Sequence, residues 1–384
     1  MKKNILMLTA LFAFAQSSIA DNVYSIYLES PELVAGDTIA IEHLDMILET
    51  VRSVSRSVAV EDGHVLIKDT ITEFSELTLK CLGKTSDGLT IYVEPGQHLT
   101  LNIPNLKYMD ESVPEGGFYS DKTIHDYFLF EADKEKILNP ARAKLDYYMT
   151  TGNSDSIGMA IDRVLDIQKG TRDEWKYRRS FWFSKDCPIA AYLFAKELGF
   201  DNIRSRRLER HWRRLSPGVK QTSAGKWYRR IVDIRKSLRK KSVATNFKLT
   251  YTDGSCVSLD NLRGKYVLLY NWGVCGYVIE SAPDLIALHE KYKDKLEVIA
   301  LTDSGTYSLF TSKNNEDPSL QPLYRLAEQD WKTALTDRSD NEQIKRDYLM
   351  SFTPCVVLIS PEGRIIRWGT AEVLKTAEKR LRRK

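Results

Sequence analysis

The residues best suited to chemistry lie between Lys265 and Pro283, Lys-Tyr-Val-Leu-Leu-Tyr-Asn-Trp-Gly-Val-Cys-Gly-Tyr-Val-Ile-Glu-Ser-Ala-Pro. The apolar run from Tyr266 to Tyr270 has the pattern of a strand buried on both faces, and it breaks at Gly273 into a helical pattern. Cys275 then stands where a helix begins. Unsatisfied backbone N–H groups and the positive end of the helix dipole favour an anion there, so a thiol in that place tends toward the nucleophilic thiolate. The chain has five cysteines, Cys81, Cys187, Cys256, Cys275 and Cys355, with no close spacing among them. An odd number leaves at least one thiol unpaired even in an oxidising compartment. Its six histidines are scattered, with no pair at metal-ligand spacing, so neither a metal site nor a cofactor is expected.

The same stretch resembles the active-site segment of the TlpA/ResA-type thioredoxin-like proteins, the thiol–disulfide oxidoreductases of the AhpC/TSA-like group. Their pattern is a buried strand, a Trp-containing loop, C-G-P-C, and a proline eight residues after the first cysteine. Trp272, Cys275, Gly276 and Pro283 match it, with one residue fewer than usual between the Trp and the Cys. The second cysteine is replaced by Val278, the proline between the cysteines by Tyr277, and the acidic residue six places after the first cysteine by Ser281, with Glu280 one place early. The C-x-x-C site is therefore degenerate, and no disulfide can close within it. Thr353-Pro354 falls where the family carries a cis-proline. The resemblance implies that this proline faces the cysteine and that the backbone of Thr353 holds an extended substrate strand. The substrate-binding set it implies is Trp272, Gly276, Tyr277, Thr353 and Pro354 around Cys275, with Tyr277 either shielding the thiol or shaping a peptide pocket.

Length and composition frame these residues. At 384 residues the chain should hold two or three domains, and 42% hydrophobic with 28% charged residues describes a globular protein. Lys2 and Lys3, an apolar run from Ile5 to Ala15, and Ser18-Ile19-Ala20 read as a signal peptide cleaved after Ala20. An exported, periplasmic protein is the expectation.

Along the chain, residues 21–106 are strand-like. Short runs of Val, Ile, Leu, Thr and Tyr are separated by turns at Ala35-Gly36-Asp37, Glu61-Asp62-Gly63, Ser86-Asp87-Gly88 and Glu94-Pro95-Gly96, the pattern of an all-β sandwich or open barrel. The run from Val93 to Leu101 resembles the closing strands of the β-domain of unknown function that often precedes a thioredoxin domain in exported proteins. Residues 107–245 turn helical, with apolar positions three and four apart in Tyr127–Ile137, Ala141–Tyr148, Ser156–Ile167 and Ile189–Leu198, a helical connector in that architecture. Cys187-Pro188 reads as a helix start in which the cysteine is a cap or core residue, and Cys81, alternating with Leu77 and Leu79, as core.

The connector ends in a basic segment, 204–241, where fifteen Lys and Arg face only Glu209 and Asp233. The whole chain has 56 basic and 52 acidic residues, so outside this segment acids outnumber bases. With Trp212, Trp227 and Tyr228 interleaved, nucleic acid suggests itself, but an exported protein meets little of it and no recognition motif accompanies the charges. A solvated helix face docking on the acidic remainder is the plainer reading, with contact to an anionic lipid or polysaccharide surface as the alternative.

Residues 246–384 carry the thioredoxin order. A hairpin across Asp253-Gly254 precedes the buried strand, the Cys275 helix and a second strand at Leu296–Leu301. A long polar insertion follows between Thr302 and Trp331, then a helix at Asp340–Tyr348, a hairpin across Ser360–Gly363 and a closing helix at Ala371–Arg383. The expected fold is an α/β thioredoxin-like domain, a central sheet flanked by helices, behind the all-β domain and the helical connector.

Three functions compete. In the first, Cys275 attacks a disulfide or sulfenic acid of an exported protein or small thiol, and an external thiol resolves the mixed disulfide because Val278 cannot. The second is a non-catalytic binding module that keeps the peptide groove. The third, a peroxidase, needs Thr and Pro ahead of the cysteine and an Arg against it, and Asn271, Trp272 and Gly273 supply neither. Cys355, next to Pro354, is a conceivable partner for Cys275, but alternation along a strand should turn it to the opposite face.

Overall fold

The computed structural model describes residues 22–44, 51–59, 61–85, 88–151, 154–199, 205–312 and 320–382. The expected signal peptide, Arg204 and the turn at Ser86-Asp87 lie outside them. The chain forms two compact units, 1–193 with 215–226, and 194–214 with 227–384. The helical connector is thus shared between the two units.

In the first unit, seven strands form two sheets: β1 (Val23–Glu29), β2 (Thr38–Leu44), β3 (Val51–Val58), β4 (His64–Thr70), β5 (Ser75–Cys81), β6 (Leu89–Val93) and β7 (His98–Asn102). The strand orders are β4-β1-β7 and β3-β2-β5-β6. All neighbours are antiparallel except β1 and β7, which run parallel. Period-two burial puts Tyr24, Ile26 and Leu28 inside from β1 and Leu77, Leu79 and Cys81 inside from β5, so Cys81 is core.

Three helices follow, α1 (Lys122–Thr151), α2 (Ser154–Lys169) and α3 (Arg172–Ser184). The two helical stretches expected on either side of Pro140 are one helix. Pro140 costs α1 one hydrogen bond, that to the Lys136 carbonyl, without ending it. Aromatic packing of Tyr127 on Phe181, with centroids 4.2 Å apart, and the paired bonds of Arg178 to Glu131, both 2.6 Å, hold α3 against α1.

The basic segment lies on α5 (Ser205–Arg214), α6 (Pro217–Gln221) and α7 (Ser223–Ser237), after α4 (Pro188–Gly199). On α5 the arginines 206, 207, 210, 213 and 214 are exposed while Leu208 and His211 are buried. In the second unit Glu209 gathers Arg213 at 2.8 Å and Lys236 at 2.9 Å, so part of the basic charge is answered within the segment itself.

The second unit is built on a five-stranded sheet, order β12-β11-β10-β13-β14. A small hairpin, β8 (Lys248–Thr250) and β9 (Cys256–Ser258), precedes β10 (Tyr266–Asn271). Then come α8 (Gly276–Tyr292), β11 (Leu296–Thr302), α9 (Ser304–Thr311), α10 (Gln321–Ala327), β12 (Lys332–Leu335), α11 (Glu342–Asp347), β13 (Cys355–Ile359), β14 (Ile365–Gly369) and α12 (Glu372–Leu381). β10, β11 and β12 are parallel; β13 and β14 run antiparallel. This is a thioredoxin-like fold.

The stretch expected as a polar insertion differs from that reading. It contains α9 and α10 and leads into β12, which extends the sheet beyond β11. Four residues of β12, two of them buried, are too few for a period to show. One face of the sheet, with Leu268, Tyr270, Trp272, Val356 and Leu358, packs with Val278, Ala282 and Leu285 of α8 and Leu374 of α12 into a single core.

Candidate functional site

β10 is paired on both sides and buried, so it is a rigid base for whatever follows it. Trp272 still donates its N–H to Leu301 O at 2.9 Å, and the chain then leaves the sheet through Gly273 and Val274. Cys275 is the N-cap of α8, with extended φ −151° and ψ 139°. Its carbonyl accepts the N–H groups of Val278 and Ile279, both at 3.0 Å. Its side chain makes no cap hydrogen bond, so the sulfur is left over at the positive end of the helix. The thiol is half-buried against the core, between exposed Val274 and Tyr277, the latter 71% accessible. Around Gly276 there is open space.

Behind the cysteine lies a pair of neutral hydroxyls. Tyr270 and Ser281 are 2.9 Å apart, and Ser281 Oγ also reaches Tyr277 O at 2.7 Å. Burial pushes the Tyr270 phenol up to about 12, with the Ser281 bond opposing it. Ser281 is buried and Glu280 exposed. The sequence reading missed the Tyr270–Ser281 pair. Its only signal was alternation, since Tyr270 shares a sheet face with Leu268 and Trp272.

The second loop of the site is tied to β10 by Asn271. This buried side chain donates to Met350 O at 3.2 Å and Phe352 O at 3.1 Å. The Thr353-Pro354 bond that follows is cis. A Cβ built on Gly273 would sit 3.5 Å from Thr353 Cγ2, so the loop ahead of Cys275 and the Thr353 loop are in contact. Thr353 is half-buried, and its own N–H and C=O take no hydrogen bond among the described residues. Pro354 is buried. Trp272, 2% accessible, packs at 6.1 Å from Phe310, and its Nε1 has no partner among the described residues.

Val278 is wholly buried in the core. Cys355 pairs with Asn271 in the register and so occupies the sheet face opposite Tyr270 and Cys275, as alternation led one to expect. It is fully buried, its thiol 3.9 Å from Leu349 O, and burial drives its acidity well down. Cys187 sits at the start of α4, where burial also raises its pKa. All five cysteines are free thiols.

The fold is that of a thioredoxin-like domain, with Cys275 at the start of the helix that follows its first buried strand. The AhpC/TSA family model matches residues 241–367, which run from ahead of β8 into β14 and leave out the closing helix. No curated protein sequence matches the chain. Among solved structures, the chain is similar to the thioredoxin domain of a thiol-disulfide oxidoreductase from Bacteroides vulgatus, with 21% identity, 37% of this chain and 98% of that chain covered, and a TM-score of 0.29. It is also similar to a putative thiol:disulfide interchange protein DsbE from Chlorobium tepidum, with 21% identity, 38% and 99% covered, and a TM-score of 0.29. A putative protein disulfide isomerase from Bacteroides thetaiotaomicron shows 22% identity, 37% and 90% covered, and a TM-score of 0.27.

Proposed function

We propose that this is an exported protein whose C-terminal domain performs thiol–disulfide exchange through Cys275 alone. The Cys275 thiolate attacks one sulfur of a disulfide in another exported protein or small thiol. A mixed disulfide forms, and the other sulfur leaves as a thiolate. An external thiol then attacks the substrate's sulfur in the mixed disulfide, and Cys275 is released as a thiolate. The disulfide now joins the substrate's sulfur to the external thiol, a second external thiol frees that sulfur as a thiolate, and the protein ends as it began. The observation that carries this reading is a sulfur at the start of α8 with no capping bond, flanked by exposed side chains. The free backbone groups of Thr353 beside Gly273 suit an extended peptide.

The test is oxidised glutathione followed by peptide mass spectrometry, with Cys256, exposed on the β8–β9 hairpin, as an internal control. The adduct should form first at Cys275, and insulin reduction in the presence of glutathione should drop in Cys275→Ala. Equal labelling of Cys275 and Cys256, with equal insulin rates in the two proteins, would remove the exchange reading. A non-catalytic peptide groove would then be what remains, a reading favoured by the buried Val278 in the resolving position.

A further inference from the structure

We infer that the second unit carries a binding site for a phosphate ester, at the free edge of its sheet and apart from the Cys275 loop. β14 is an edge strand. Its first residues are covered by the segment after α7: Lys241 N–H reaches Ile365 O at 2.7 Å and Ile365 N–H reaches Ser242 O at 2.8 Å. Further along, a cavity of about 350 Å³ is lined by Leu238 and Lys240 together with residues of β14 and α12. The β13–β14 register shifts between Leu358 and Ile359, which leaves Ile366 as the extra residue of a bulge on the cavity wall. Bulges re-aim the side chains beside them.

The lining has two parts. Leu238, Ile366 and Trp368 give it an apolar floor. Trp368 spends its Nε1 on Tyr348 O at 2.6 Å and carries the Arg235 guanidinium over its ring at 4.2 Å, so the indole is fixed in place. The rim carries three cations, Lys240, Arg367 and Arg380, with the Thr376 hydroxyl among them. Arg367 is held by Glu372 at 3.0 Å and Thr376 at 3.1 Å. Lys240 and Arg380 have no acidic partner among the described residues, so one carboxylate answers three positive charges. A doubly charged oxyanion balances the remainder, and guanidinium forks bind such oxyanions at two points. The floor accepts an apolar body attached to it, and the volume suits a small molecule or a headgroup. A phosphate monoester on a hydrocarbon or aromatic group meets all of these terms, and a diester meets all but the second charge.

Isothermal titration of the purified full chain with phenyl phosphate tests this, beside neutral vesicles and vesicles containing phosphatidylglycerol. The comparison protein is Lys240→Gln/Arg380→Gln, whose changes are at the cavity rim and leave the core intact. Saturable binding of phenyl phosphate, weakened about tenfold or more in the variant and by added salt, is the expected result. Binding confined to phosphatidylglycerol vesicles and lost in the variant would also uphold the site and assign the phosphate to a lipid headgroup. No saturation with either probe, or unchanged binding in the variant, would overturn it. Glutathione labelling of Cys275 should be the same in both proteins, so this result is separable from the exchange test.

Discussion

At position 278 a fully buried valine fills core volume where a second sulfur would have to stand for Cys275 to release its own substrate. The two residues are three apart at a helix start, with Cα atoms about 5 Å apart by helix geometry, inside the span a disulfide bridges. Val278→Cys should therefore form a disulfide with Cys275 on mild oxidation, visible as protection of both thiols from alkylation. It should also raise insulin reduction at least ~10-fold, because release becomes intramolecular. The loss of one methyl from the core should cost only about 0.5–1.5 kcal/mol. Failure of the pair to close would mean that the start of α8 does not hold Cys275 and position 278 within bonding reach. At this scale the position of Cys275 at a helix start was legible in the sequence, because a lone cysteine between a buried strand and a helix is a local pattern. The Tyr270–Ser281 bond behind it was not, since it joins a strand to a helix through a contact that no local period reports.

Among the elements, the site depends on how the end of β10 is joined to the loop before β13. Asn271 makes that joint by donating to Met350 O and Phe352 O from a buried position. Asn271→Ala leaves two carbonyls without these bonds and should lower the stability of the second unit by about 1–3 kcal/mol, read by urea denaturation. It should also slow glutathione capture at Cys275, because Thr353 loses its fixed place beside Gly273. Unchanged capture would separate the loop from the chemistry. The sequence located both loops, but not the side chain that joins them, since Asn271 reads simply as the polar end of an apolar run. The short β12 and the helices α9 and α10 were likewise invisible as elements, because tertiary pairing, and not their own pattern, makes them regular.

For the molecule as a whole, two compact units mean that unfolding need not be a single transition, and each prediction belongs to one of them. In the second unit Asp330 lies 2.8 Å from Lys293 and 2.6 Å from His289, which ties α8 to the segment ahead of β12. Lys293 and then His289 hold its carboxyl down to about 2. A carboxyl depressed in the folded state stabilises it fully above the unfolded value of about 3.9, and that contribution fades as pH falls toward the folded value. Asp330→Asn should accordingly lower the melting temperature of that unit at pH 7, with the gap to the parent closing as pH drops from about 4 to about 2. Calorimetry at both ends of that range checks it, and a gap independent of pH would show that the ion pairs are not its source. The amino-acid sequence by itself determined the strand that leads into Cys275, the helix after it, the second strand and the closing hairpin and helix, together with the single cysteine at that junction and the valine three places on, because each is written in residues near one another. Only the tertiary structure decided that Ser281 faces Tyr270, that Gly273 meets Thr353, that Cys355 is turned away, and that a cationic cavity opens at the edge of β14. Those depend on which distant segments pack together, and a chain's local periodicity carries no record of that.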